Sequence, residues 1–322
     1  MIERRMKVLS HILYLVIPCY NEEEVLYETA SQLLALTDSM IRENLISPDS
    51  RIAFVDDGSK DKTWQIIEEL SERHVRVTGI KLAKNAGHQN ALLAGMMTVR
   101  ERADMIVSAD ADLQDDISII RDFVIQYNNG NDVVYGVRSS RDTDSFFKRN
   151  TALLFYKMMR ALGVDIVYNH ADYRLMSRRA VDALSEFNEV NLFLRGLVPL
   201  VGFPSATVSY ERKERFAGTS KYPLKKMLKF AFEGITSFSI KPIRLITGTG
   251  AMISFFSILA AVYALISKIA GVTVPGWTSL MLSIWFIGGV QLLSLGLIGE
   301  YVGKVYQEAK HRPRYIIEKT LD

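Results

Sequence analysis

The sequence predicts an α/β fold, a doubly wound and mostly parallel sheet, followed by two membrane-spanning helices. Three observations predict it. Short apolar runs alternate with helical patterns through the first half of the chain. Polar clusters follow those runs at regular intervals. Two long stretches without a single charge, 245–267 and 269–299, lie near the C-terminal end.

The strand candidates are Leu13–Pro18, Arg51–Val55, Val77–Leu82, Met105–Ala109 and Asp132–Val137, with helical patterns over 22–44, 61–73, 87–101 and 116–128. Strands alternating with helices of this length form βαβ units, whose strands pair in parallel. The short apolar run after Arg4, Arg5 and Lys7 has no small-residue cleavage site and leads directly into Asn21-Glu22-Glu23-Glu24. It therefore reads as the first strand and not as a signal peptide. Cys19 is the only cysteine, so no intramolecular disulfide forms, in keeping with a reducing compartment, and it reads as a small buried strand residue.

A spanning helix needs roughly 20 apolar residues. The uncharged stretches of 23 and 31 residues each hold one, placed at about 245–267 and 280–300, with a short turn between. Lys225, Lys226, Lys229, Lys241 and Arg244 precede the pair; Lys304, Lys310, Arg312 and Arg314 follow it; the turn is flanked only by Lys268. That bias puts both chain ends and the large domain on the cytoplasmic side of the inner (plasma) membrane. Leu224, Met227, Leu228, Ala231, Ile235 and Phe238 make an apolar helical stripe with lysines off it, and Pro242 ends the pattern. This predicts an amphipathic helix in the membrane interface. Residues 205–245 carry a net +6 within a chain of +3, a concentration that flanks the spans and can attract an anionic lipid headgroup. The expected organisation is a catalytic domain over 1–215, a loop and juxtamembrane helix over 216–244, the spans within 245–302, and a cytoplasmic tail over 303–322. The sequence pI of about 8.8 is no case for nucleic acid, because the basic cluster abuts the spans. Gly288-Gly289 and Gly296 offer small-residue patches for helix packing, and a homo-oligomer is expected.

In doubly wound sheets ligands bind beyond the carboxyl ends of the strands. Tyr20-Asn21-Glu22, Asp56-Asp57-Gly58-Ser59, Lys84-Asn85 and Asp110-Ala111-Asp112 all follow strands and should converge on one crevice. Asp110-Ala111-Asp112-Leu113-Gln114-Asp115 is the strongest local signal. Two carboxylates at a strand end can hold a divalent cation that also contacts phosphate oxygens, although a polar turn gives the same spacing. In Asp56-Asp57-Gly58-Ser59, one aspartate serves each of two roles: accepting bonds from a base or ribose, and supporting a glycine turn whose following helix is capped by Ser59 or Asp61. Lys84-Asn85-Ala86-Gly87 opens a helix, a place that favours phosphate. His88 and His170 have no metal-ligand spacing. His88 reads as a structural or surface residue, and His170, two positions before Asp172, as one that can touch the sugar. No P-loop pattern occurs.

Taken together these residues resemble the family 2 glycosyltransferases of the GT-A fold, and within them the polyprenyl-phosphate sugar synthases such as dolichol-phosphate mannose synthases and bactoprenol glucosyltransferases. Ile17–Glu23, Val55–Asp61, Asn85–His88 and Asp110–Asp115 carry the broad likeness. Ala171–Met176, Phe216–Tyr222 and His311–Tyr315, with the paired spans, carry the narrower one. The resemblance implies that Pro18, Tyr20, Glu22 and Asp57 line the base and ribose, with Asn21, Gly58, Lys84, Gly87 and Ala111 completing the nucleotide-sugar site. It implies that Asp110, Asp112 and Gln114 surround Mg²⁺ or Mn²⁺ and the diphosphate. Asp112 and Asp172 are the catalytic carboxylates it points to. Arg138, Arg141, Lys148 and Arg149 would meet the acceptor phosphate, and Arg212, Arg215, Ser220 and Lys221 would form a loop closing over the donor.

The implied reaction is inverting transfer of a hexose, glucose or N-acetylglucosamine, from a UDP-sugar to undecaprenyl or another polyprenyl phosphate. A downstream flippase and an envelope glycosyltransferase would use the product. The alternative donor is GDP-mannose. A phosphate monoester has its second pKa near ~6 and reaches the site already ionised. Asp172 is therefore expected to orient the acceptor or a basic residue rather than to remove a proton. A processive polysaccharide synthase would carry Gln-x-x-Arg-Trp, which is absent from the sequence; an inactive membrane scaffold would have lost its charged crevice residues, which are present.

Overall fold

The first apolar run forms strand β1, Leu13–Cys19, with all seven residues buried, as expected for a strand covered on both faces of a parallel sheet. The computed structural model describes residues 11–138, 170–189, 192–211, 236, 241–270 and 276–322. Four further strands follow where the apolar runs place them: β2 (Arg51–Asp56), β3 (Val77–Leu82), β4 (Met105–Ser108) and β5 (Val133–Arg138). Between them lie α1 (Leu26–Arg42), α2 (Thr63–Arg73), α3 (His88–Val99) and α4 (Ile120–Asn128), the last entered through a 3₁₀ turn at Ile117–Ile119. Helix α1 buries Leu26, Thr29, Ala30, Leu33, Thr37 and Met40, one helical stripe. It starts later than the pattern over 22–44 suggests, because the preceding residues are held by backbone bonds to the next loop.

Three strands lie outside the predicted set. Strand β6 (His170–Ser177) leads into α5 (Arg178–Ser185); α6 (Leu194–Leu200) and β7 (Ser205–Tyr210) follow; β8 (Ile317–Leu321) comes last. The strand order is β7-β5-β6-β4-β1-β2-β3-β8. All strands point one way except β6, antiparallel between β4 and β5, and β8, antiparallel along β3. The sheet is thus mostly parallel, as expected.

Strand β8 turns residues expected to lie in a tail into an edge of the sheet. Leu321 packs on the core, and Ala83 N–H donates to Ile316 O at 2.9 Å beyond the ladder. Thr78 Oγ1 donates to Leu321 O, and Lys81 pairs with Glu318 at 3.1 Å and Lys319 with Glu68 at 2.8 Å.

The chain divides into two compact units, one holding the sheet together with residues 312–322. The other holds α7 (Lys241–Ile269) and α8 (Trp277–Ala309), which contain the predicted spans. Pro242 falls in the first turn of α7, where its missing N–H costs nothing. Both helices are long and apolar enough to cross a bilayer. Leu245, Phe255, Phe256, Leu292 and Leu293 are exposed on them. The predicted amphipathic helix falls outside the described residues, apart from Thr236.

Candidate active site at the carboxyl edge of the sheet

The four polar loops do converge: hydrogen bonds from backbone N–H groups join the first three in sequence, and a His88–Asp110 side-chain contact reaches the fourth. Asn21 sits at φ +55°. Its N–H donates to Ser59 Oγ at 3.0 Å, and its Oδ1 accepts from Lys60 N–H at 2.9 Å. Glu22 N–H donates to Thr63 Oγ1 and Glu23 N–H to Asp61 Oδ2. Asn21 thus braces the first loop against the second. Pro18 is buried in β1, whereas Tyr20 stands 43% exposed at the edge.

Asp56 and Asp57 engage different partners. Asp56 is fully buried; its Oδ1 accepts from Ser59 N–H at 3.1 Å, and its Oδ2 has no hydrogen-bond partner among the described residues. Burial pushes its pKa up against the pull of Ser59. Asp57 reaches the third loop: Ala86 N–H donates to Oδ1 at 2.6 Å and Gly87 N–H to Oδ2 at 3.0 Å. Burial raises its pKa too, opposed by those two N–H groups. Neither Ser59 nor Asp61 is the N-cap of α2; that place is Lys62, without a side-chain bond, and Asp61 Oδ1 instead accepts from Thr63 N–H. Gly58, at φ +67°, lets the second loop touch the third backbone to backbone. A Cβ there would lie 2.6 Å from Asn85 N and 2.7 Å from Lys84 C. Lys84 is exposed, and Gly87, at φ +90°, caps α3.

The third loop meets the fourth through His88, whose Nε2 is 3.6 Å from Asp110 Oδ1. In Asp110–Asp115, Asp112 Oδ1 accepts from Gln114 N–H at 3.2 Å, which holds Leu113 at φ +52°. Ala111 O accepts from Thr29 Oγ1 of α1 at 2.7 Å, and Asp115 accepts from Tyr210 Oη at 2.7 Å. Gln114 and Asp115 are buried; Asp110 and Asp112 are partly exposed. Burial raises the Asp110 pKa; His88 opposes this, and Asp115, Asp172 and Asp112 add to it. Such crowding of carboxylates is what a divalent cation relieves. Among the described residues no three His, Cys, Asp or Glu side chains could hold a metal by themselves. Mg²⁺ needs only one or two carboxylates and completes its shell with substrate phosphates and water, a donor set that Asp110 and Asp112 could supply.

Asp172 lies on β6, 9% exposed, with both oxygens engaged. Arg174 Nη2 donates to Oδ1 at 2.6 Å, and Arg195 donates to Oδ2 through Nη2 at 3.1 Å and Nε at 3.3 Å. Arg174 is 2% exposed and also donates from Nη1 to Leu194 O at 3.3 Å. Burial alone would raise the Asp172 pKa, but Arg195 and Arg174 outweigh it and hold the carboxyl well below the usual carboxylate range. The carboxylate stays ionised at neutral pH, so its geometry suits orienting the two guanidinium groups.

Arg138 stands at the end of β5, at the same edge. It spans Asp115, at 3.7 Å, and Tyr210 Oη, at 3.4 Å. Arg141, Lys148, Arg149, Arg212, Arg215, Ser220 and Lys221 lie outside the described residues, as does any account of the His170 side chain. Sequence reasoning missed Arg174, Arg195 and Tyr210; His88, read as a structural or surface residue, is exposed and also lies against Asp110. Only Arg174 carried a signal: its two-residue spacing from Asp172 puts both on one face of a strand.

Known proteins match this chain along most of its length. A family model described as Glycosyl transferase family 2 matches residues 14–185. The Bacillus subtilis (strain 168) protein named "Uncharacterized glycosyltransferase YkoT" is 56% identical over 316 residues, 98% of this chain and 94% of that one. The bactoprenol glucosyl transferase of Shigella phage SfV is 39% identical over 309 residues, 94% and 97% of the two chains. Among solved structures, glucosyl-3-phosphoglycerate synthase from Mycobacterium tuberculosis, in complex with Mn²⁺, UDP and phosphoglyceric acid, superposes with a TM-score of 0.45 at 16% identity, covering 70% of this chain and 76% of that one.

Proposed function

Because this chain belongs to glycosyl transferase family 2, we propose that it transfers glucose or N-acetylglucosamine from a UDP-sugar to undecaprenyl or another polyprenyl phosphate. The observation that carries the reading is the run of contacts, hydrogen bonds among the first three loops and the His88–Asp110 pair to the fourth, that gathers four polar loops around Asp110 and Asp112 at one sheet edge. Full-length identity to a bactoprenol glucosyl transferase supports the acceptor.

Tyr20, Glu22 and Asp57 face the base and ribose, with Lys84 and Gly87 beside the phosphates. Asp110 and Asp112 would hold Mg²⁺ or Mn²⁺, which offsets the charge that grows on the departing diphosphate. The acceptor monoester, mostly dianionic at neutral pH, attacks the sugar C1; the C1–O bond to UDP breaks as the new C1–O bond forms. An α-linked donor gives a β-linked product. No proton has to leave the nucleophile, and a carboxylate as tightly ion-paired as Asp172 is poorly suited to take one. Asp172 acts as a positioning residue, and positioning of two anions is the main catalytic contribution. Arg138, Arg141, Lys148 and Arg149 are assigned to the acceptor side, and Arg212, Ser220 and Lys221 to closure over the donor.

The long apolar helices, exposed on their faces, and the flanking Lys241 and Arg244 support residence in the inner membrane with the catalytic domain in the cytoplasm. The product would pass to a flippase and an envelope glycosyltransferase.

The test supplies full-length protein in detergent with undecaprenyl phosphate, Mg²⁺ or Mn²⁺, and UDP-glucose, UDP-N-acetylglucosamine or GDP-mannose in turn. A lipid-linked sugar is expected from a UDP donor. Product only from GDP-mannose would reassign the donor, and no product from any donor would overturn the reading.

A further inference from the structure

The loop that carries Asp110 and Asp112 is anchored on both sides of its turn at Leu113. Before the turn, Ala111 O accepts from Thr29 Oγ1 of α1 at 2.7 Å. After it, two tyrosines from the sheet take hold. Tyr210, the last residue of β7, donates from Oη to Asp115 Oδ1 at 2.7 Å. Tyr173 of β6 donates from Oη to Asp116 O at 3.0 Å. Asp112 lies between the two sets of anchors.

Both rings are built into the core. They pack edge to face with centroids 5.5 Å apart, and Tyr173 meets Phe123 of α4 in the same way at 5.0 Å. Strand β5 makes room for this group: a Cβ on Gly136 would lie 3.2 Å from Tyr173 Cδ1 and 3.2 Å from Phe123 Cζ. A glycine weakens a strand interior and is used where another group approaches closely. The hydroxyls are therefore carried by rings that cannot follow the loop if it moves.

Asp115 is itself buried. A buried charge is weak evidence for stability, since an apolar side chain of similar volume often serves as well. What the carboxylate adds is direction, because a charge-assisted O–H···O bond is short, strong and oriented. The same oxygen lies 3.7 Å from Arg138 Nη2, and Arg138 Nε donates to Tyr210 Oη at 3.4 Å. Side chains from β5, β7 and the loop thus meet at one point, an arrangement suited to setting the loop and not only to filling the core.

We propose that Tyr210 is a positioning residue for the Asp110–Asp115 loop, its hydroxyl fixing Asp115 so that Asp110 and Asp112 stand ready for a divalent cation. This rests on the transferase reading above, which assigns the metal to those two carboxylates.

The experiment uses full-length wild-type, Tyr210→Phe and Phe123→Leu proteins in detergent. UDP binding is measured at equilibrium across a Mn²⁺ titration, without turnover, and thermal melts are recorded in EDTA. Tyr210→Phe keeps the ring and removes one oxygen. It should raise the Mn²⁺ concentration for half-maximal UDP binding by roughly 10-fold, the scale on which groups that orient metal ligands act. Phe123→Leu loosens the same core without touching the hydrogen bond. It should lower the melting temperature and leave the Mn²⁺ midpoint within twofold of wild type. A Tyr210→Phe midpoint within twofold of wild type would overturn the proposal. An equal shift in both variants would overturn it too, because packing and not the hydroxyl would then set the loop. Should Tyr210→Phe not fold, Asp115→Asn carries the comparison, and a wild-type midpoint there would overturn the proposal. Wild-type UDP binding that does not respond to Mn²⁺ would overturn it together with the metal assignment. Wild type that binds UDP with Mn²⁺ yet makes no product in the donor panel would instead overturn the transferase reading and leave the positioning result standing.

Discussion

Gly58→Ala is the sharpest test of the way the loops are joined, and Gly130→Ala is its control. Both glycines have positive φ, +67° and +95°. An alanine held there costs about 1–2 kcal/mol in backbone strain. At Gly130 nothing lies within 4 Å of the added carbon, so strain is the whole effect. At Gly58 the carbon would lie 2.6 Å from Asn85 N and 2.7 Å from Lys84 C, both backbone atoms. Reaching ordinary contact at 3.4 Å needs a retreat of about 0.8 Å by the loop that donates from Ala86 and Gly87 to Asp57. Hydrogen bonds to a charged group contribute about 1.5–3 kcal/mol each, so weakening the pair brings the total to about 3–5 kcal/mol. At about 2–4 °C per kcal/mol for a domain of this size, Gly130→Ala should lower the melting temperature by about 2–8 °C and Gly58→Ala by about 6–20 °C. Gly58→Ala should also weaken UDP binding by about tenfold or more, and Gly130→Ala should leave it alone. Thermal melts and UDP titration in Mn²⁺ read both effects. Equal shifts from the two substitutions, with UDP affinity unchanged in each, would refute the contact between the second and third loops as a determinant of the site.

Asp172→Asn should destabilise the sheet domain by about 3–5 kcal/mol, because it leaves the buried Arg174 charge uncompensated. Its pH dependence has a fixed sign: Asp172 has a depressed folded pKa, so its contribution is complete above the unfolded carboxylate pKa near ~3.9 and fades as pH falls below it. In urea unfolding the gap between wild type and Asp172→Asn should be constant from pH 7 to 5 and narrow below about pH 4; a gap that widens on acidification would contradict the ion-pair geometry. Asp110→Asn and Asp112→Asn should each reduce transfer by roughly 10² or more. Asp110→Asn should melt no lower than wild type, since it removes a charge crowded by three other carboxylates; product assays beside thermal melts separate the two effects. Leu321→Ala should cost about 2 kcal/mol, at the low end for a leucine in a core, given its partly buried place on β8, against Gly79 of β3. Deletion of residues 316–322 should expose the β3 edge and produce aggregates on size-exclusion chromatography.

The parts of the fold legible in the sequence were those whose burial is uniform. Strands β1 to β4 read as apolar runs because both sheet faces are covered, and the loops after them read as polar clusters because they face the crevice. Strand β6 was not legible. It buries Asp172 and Arg174, and a buried charge is permitted only by a partner that local sequence does not display. Strand β8 hid for the opposite reason: four of its five residues are exposed, so an edge strand held by pairing reads like a tail. The site followed the same rule. Asp110 and Asp112 were recognisable by position after a strand. Arg195 depends on a tertiary bond to Asp172 across more than twenty residues of chain, and Asn21 took up a bracing role that its place beside Tyr20 concealed.

Strand β8 also constrains the route of the chain. It is made after both long helices, yet it pairs with β3, which is made long before them. The sheet therefore cannot close until the chain through Leu321 has been made. The segments on either side of the helical pair must also end in the same compartment. Any bilayer crossings between β7 and β8 must then be even in number. On the proposed two-span topology, a variant that converts one helix into a non-crossing segment while the other still inserts would strand the last β-strand across the membrane from its partner, and would lose the sheet edge. On that topology a reporter appended after Asp322 would mark the side of the membrane on which the sheet resides.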